Sequence, residues 1–214
     1  MNIRTAFFVL LCVTAASCRA PRLAPLADGT PVRSSEPLPV IELPRHGQRI
    51  VFTWRLQEAE LEVRGDGAAR VAAPDSARID LFVAGGLGNG AARVIGDDMR
   101  LDAPDALRRV LPPPAFLWAA LGRFAIPPGR DTIVARTGSS LTADIGPSPR
   151  WRLSLQGRRI TRLERAEGDR VVDRLERRAD GSLVYFHAPT RRQLTLTITR
   201  VDSVAAFDAS IWRP

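Results

Sequence analysis

Apolar and polar residues alternate with a period of two along much of the chain. Ile50, Phe52, Trp54 and Leu56 alternate with Val51, Thr53 and Arg55, and Leu61 and Val63 with Glu60, Glu62 and Arg64. Ile79, Leu81 and Val83 are separated by Asp80 and Phe82. Trp151, Leu153 and Leu155 alternate with Arg152, Ser154 and Gln156, and Leu194, Leu196 and Ile198 with three threonines. Successive side chains of a strand point to opposite faces, so the pattern predicts half-buried β-strands. Gly65-Asp66-Gly67, Glu167-Gly168-Asp169 and Asp180-Gly181 read as turns between them.

The alternation breaks once, over residues 102–124. Asp102 suits a helix cap, Pro104 a first helical turn, and Pro112 to Pro114 divide two short helices. Leu117 and Leu121 share one helical face, with Phe116, Ala120 and Phe124 beside it. Strands and helices do not alternate, which argues against a parallel doubly wound sheet. A large antiparallel sheet has to curl and cover its apolar face. The expected fold is therefore mainly β: an unclosed antiparallel β-barrel, or half-barrel, over residues 48–214, with a short helical lid inserted mid-chain.

The N-terminus bears on compartment. Arg4 precedes an apolar run over residues 6–16, which ends in Ala15-Ala16-Ser17-Cys18. A basic start, a short apolar run and small residues read as an export signal over residues 1–17. The cysteine at its end resembles a bacterial lipobox, with Ala15 where leucine is common, and makes Cys18 the expected lipidation site. One acyl chain binds a bilayer marginally, whereas several anchor stably. Residue 19 is arginine and not the aspartate associated with inner-membrane retention, so the expected location is the outer membrane, facing the periplasm. Residues 18–47 hold Pro21, Pro25, Pro31, Pro37, Pro39 and Pro44 and read as an extended tether.

Composition changes this picture little. The chain has 214 residues and a formal net charge of +8, and all 31 of its basic residues are arginines. An arginine-only, alanine-rich chain carries the mark of a coding bias. Export excludes a nucleic-acid partner in the cytoplasm. The two cysteines lie within the first 18 residues and there are two histidines, so no disulfide, metal or cofactor is expected. Residues 150–200 hold thirteen arginines against six acidic residues, with Arg158-Arg159, Arg177-Arg178 and Arg191-Arg192 near hairpin ends. These doublets fit either anionic headgroups or a solvated surface. Gly86, Gly88 and Ala91 match a dinucleotide fingerprint, but Gly96-Asp97-Asp98 follows too soon for the helix it requires. No nucleophile elbow accompanies His187, so the chain does not read as an enzyme.

Three strings carry a family resemblance. Residues 77–88 form a strand running into Gly85-Gly86-Leu87-Gly88. Residues 116–122 read Phe-Leu-Trp-Ala-Ala-Leu-Gly, and Trp151-Arg152-Leu153 precedes long hairpins. Over residues 48–200 the chain resembles the LolA/LolB-type carriers and outer-membrane insertases of the lipoprotein-localisation family. That resemblance implies an apolar cavity lined here by Phe52, Trp54, Leu81, Trp118, Leu121 and Leu196. It implies acylated lipoproteins or other lipids as partners of a monomer. It also implies that Leu87 projects from its glycine loop to engage the membrane, the other reading being a leucine folded back onto the sheet. Three departures stand out: prolines replace the helix before the first strand, Gly86 replaces the loop proline, and Phe207 to Trp212 form an extra apolar tail with no place in the family pattern. The same apolar faces also fit a filled barrel, a lipid-anchored scaffold without transfer activity.

Overall fold

The computed structural model describes residues 21–26, 32–33, 38–86, 88–108, 110–127 and 131–212. Cys18 and Leu87 lie outside these residues. Two antiparallel meanders make up the chain. The first contains β2 (Gly47–Glu58), β3 (Leu61–Ala72), β4 (Ser76–Val83), β5 (Asn89–Ile95) and β6 (Asp98–Asp102). The second contains β7 (Ile133–Thr137), β8 (Ser140–Ile145), β9 (Arg150–Gln156), β10 (Arg159–Glu167), β11 (Arg170–Arg177), β12 (Leu183–His187) and β13 (Arg192–Val204). Between them lie α1 (Asp105–Arg108) and α2 (Pro114–Ala120), and a two-residue strand, β1 (Val32–Arg33), precedes both.

One sheet results. Its order is β1-β7-β8-β9-β10-β11-β12-β13-β2-β3-β4-β5-β6, all pairs antiparallel. The meanders are joined where β13 pairs with β2, Leu196 opposite Trp54 and Ile198 opposite Phe52. The two ends of the sheet, β1 and β6, do not pair with each other, so the curled sheet stays an unclosed half-barrel. The helices fall in the chain segment that crosses from one end of the sheet to the other.

Burial follows the predicted alternation. In β2, Ile50, Phe52, Trp54 and Leu56 are buried, while Thr53 and Arg55 are exposed. The side chains that leave water are those of one face, and they form a single core with α2. Proline stands at the first turn of α2, where its missing N–H has no helical partner to lose. All five residues from Phe116 to Ala120 are buried and the helix packs against β10 and β11. It is thus a plug inside the curl more than a lid over it.

Four expectations change. Gly65-Asp66-Gly67 is not a turn: it lies within β3, and the hairpin turns at Ala59-Glu60 instead. The glycines are there because aromatic rings lie over them, since a Cβ at Gly67 would fall 2.4 Å from the Phe52 ring. Asp102 caps no helix: it ends β6, opposite Ala91. The packed body also begins before Gln48, because Leu38, Ile41 and Leu43 of the stretch read as tether are buried in the core. Residues 21–26 lie on the sheet as well, with the Val171 N–H donating to the Pro21 carbonyl at 2.9 Å. The buried Arg152 guanidinium forks onto Asp144 at 2.7 and 2.8 Å and donates to the Ala24 carbonyl. Finally, the C-terminal tail finds a place: its 3-10 turn Ala209–Trp212 packs on β4, and Arg93 donates to the Trp212 carbonyl at 3.1 Å.

Candidate functional site

The concave face of β12, β13, β2, β3 and β4 does not close fully onto the helical segment. Between them lies a slot with wholly apolar walls. The sheet contributes Phe52, Leu81 and Leu196 among others, and Leu117, Ala120 and Leu121 face them from α2 and its end. Four of the residues singled out in the sequence therefore meet in one place: Phe52, Leu81, Leu121 and Leu196.

Trp54 and Trp118 are not among the walls. Trp54 is 2% exposed, and its indole N–H donates to the Asp66 carbonyl at 2.9 Å. Trp118 is fully buried and donates to the Gly96 carbonyl at 2.7 Å, with the Arg123 guanidinium 5.1 Å from its ring centroid. Both have the satisfied N–H that burial of a tryptophan demands. Sequence reading missed Ile50, Ile79, Leu194 and Ile198, although the same alternation carries them to the slot face. It also missed Val110, Leu111, Pro112 and Leu183, for which no periodic signal exists.

The slot is narrow. Its free space is about 540 Å³ counting the open mouth, but the room open to the centre of a water molecule is about 40 Å³. Water needs roughly 10–15 Å³ of such room, and small-molecule pockets run on the order of 300–1,000 Å³. A long acyl chain enters only if α2 and the Val110–Pro112 segment shift. The joints beside α2 suit such a shift: Pro112 to Pro114 precede it, and Gly122 follows with φ of 91°, a backbone state that favours glycine.

A polar cluster lies on the same concave face, away from the slot. Asp173, with a side chain 1% exposed, accepts from Tyr185 Oη at 2.6 Å and from Arg165 Nε at 2.8 Å. His187 Nδ1 lies 2.7 Å from the same carboxylate. Burial opposes the Asp173 charge, but hydrogen bonds from Tyr185, His187 and Arg165 outweigh it and hold its pKa below the usual carboxylate range. Burial, followed by the Asp173 hydrogen bond, pushes the Tyr185 phenol well above its ordinary value. The Phe116 ring sits 5.4 Å from both Tyr185 and Trp151. This cluster supports α2 from below; among the described residues no serine is hydrogen-bonded to it. The residues of the dinucleotide-like string form β5, a strand and not a helix.

No family model matches the chain, and no curated protein matches its sequence. Solved structures do. A protein described as an outer membrane lipoprotein-sorting domain from Vibrio parahaemolyticus superposes with a TM-score of 0.50 at 8% identity, over 80% of this chain and 91% of that one. A LolA superfamily protein from Nitrosomonas europaea gives a TM-score of 0.50 at 9% identity, over 81% and 93%. At such identity the likeness is one of fold. The chain shares its half-barrel fold with these two proteins.

Proposed function

We propose that this protein binds acyl chains between α2 and the concave face of its half-barrel, and accepts or inserts acylated lipoproteins at the outer membrane. Acylated Cys18 anchors it there as a monomer facing the periplasm. The observation that carries the reading is the slot: a continuous apolar seam between the sheet and a short, proline-started helix. No covalent step is involved. Transfer runs on differential burial, at about 0.8 kcal/mol for each methylene moved out of water. An incoming chain exchanges its contacts for those of Leu117, Ala120 and Leu121 with the sheet, so only the difference drives binding. That exchange keeps release possible.

The narrowness of the slot supports a second reading, a filled scaffold that engages a protein partner. Native mass spectrometry of protein purified from its own envelope separates the two. A co-purified acylated species, together with delivery of an acylated lipoprotein to vesicles, supports the carrier. A bare protein that fails to take up palmitate or an acylated lipoprotein leaves the scaffold.

A further inference from the structure

One member of the arginine doublets lies on the sheet face that bears the slot, next to one of its walls. In the β11–β12 pair, Arg177 stands opposite Leu183, Leu175 opposite Tyr185 and Asp173 opposite His187. The Tyr185 hydroxyl reaches Asp173, so these alternate positions share the concave face. Leu183 on that face is a wall of the slot. Arg177 thus projects beside Leu183 at the end of β11, where the apolar surface gives way to charge.

Its surroundings are incomplete. Arg177 is half-buried, and its Nε is shielded from solvent with no hydrogen-bond partner. Burial weakens its hold on the proton, and the charge acting on it is a second cation, Arg159. An orphaned buried N–H is costly, and so is a half-buried charge beside a like charge. An anion bound at the Arg177 guanidinium supplies the missing partner and offsets the charge. Guanidinium groups match the oxygens of carboxylate and phosphate.

We propose that Arg177 holds the anionic group of an amphiphile whose apolar chain lies in the slot. The ligand class is a carboxylate- or phosphate-headed lipid. The inference rests on the acyl-chain reading of the slot and adds an anionic lipid to its ligands, since the acylated end of a lipoprotein carries neither carboxylate nor phosphate.

Calorimetric titration of the intact chain tests it, with palmitate, hexadecanol, a palmitoyl lysophosphatidic acid and inorganic phosphate. Palmitate and the lysophosphatidic acid are expected to bind about tenfold more tightly than hexadecanol. Arg177→Gln removes that preference and leaves hexadecanol binding and the melting temperature near wild type. Arg177→Lys keeps most of it, and this variant decides the matter if Arg177→Gln does not fold. Equal binding of palmitate and hexadecanol by the wild type overturns the headgroup site while the slot reading stands. Phosphate alone binding as tightly as the lysophosphatidic acid overturns the amphiphile in favour of a free-phosphate site. Failure of every chain to bind overturns both readings.

Discussion

The indole of Trp54 lies against Gly65, its cross-strand partner in β3. A Cβ on Gly65 would stand 2.8 Å from Trp54 Cζ2 and 1.9 Å from the carbonyl oxygen of Phe82 on the far side. The backbone contact cannot yield as a side chain could. Phe52 and Gly67 repeat the relationship two residues along. Glycines under aromatic rings let neighbouring strands and rings approach closely and help the sheet curl.

Gly65→Ala is therefore expected to destabilise the fold by about 1–3 kcal/mol or more, the ordinary cost of overpacking. Urea denaturation measures it. Loss of less than about 0.5 kcal/mol would show that β3 can slide away from β4 at this point.

Asp173 gives the protein an acid limb. Its folded pKa is lowered, so its contribution is complete above the unfolded carboxylate value, about 3.9, and is lost as pH falls through the lower folded value. Stability should drop in that acid window, and Asp173→Asn should flatten the slope there. At neutral pH the variant removes the carboxylate from Arg165, whose side chain is 30% exposed and keeps Glu167 at 3.8 Å, at a cost of about 1–3 kcal/mol. Denaturation at a series of pH values checks both statements.

Trp118 reports on α2 without touching the slot. If an acyl chain displaces the helix, the indole leaves Gly96 and its emission shifts saturably with added palmitate. Trp118→Phe should abolish the shift and Trp54→Phe should keep it. A shift that follows Trp54 instead would mean that the chain enters by parting the sheet.

Leu196→Phe narrows the slot from the sheet side. Palmitate affinity should fall at least tenfold, with a stability change of about 1–3 kcal/mol from the added bulk. Unchanged affinity would place the chain elsewhere.

The anchor and the loop are tested in cells. Cys18→Ala should abolish metabolic labelling by a fatty-acid analogue; equal labelling of both proteins sinks the lipidation reading. Leu87→Glu should impair delivery of bound lipoprotein while palmitate binding and melting temperature stay near wild type. A variant that unfolds identifies Leu87 as a core residue.

Much of the fold was legible because a strand's side-chain period is two and its inner face must be apolar. Phe52, Leu81 and Leu196 announced themselves in that way, and proline marked where the helix begins. The turn at Gly65-Asp66-Gly67 was misread for a physical reason: glycine permits a turn and permits a close ring contact, and only the partner strand tells which. The burial of Leu38, Ile41 and Leu43 was hidden because proline-rich chain docks by shape, without a period. Likewise, nothing local in the sequence separates Arg177 from Arg178. The chain by itself determined the strands, their inner faces and the interruption by α2. Tertiary structure alone decided that β13 closes onto β2, that β1 and β6 are the ends left unpaired, and that a slot remains under α2. Those outcomes depend on how far a curled sheet of these side chains can be filled, a property of volumes in space and not of order along the chain.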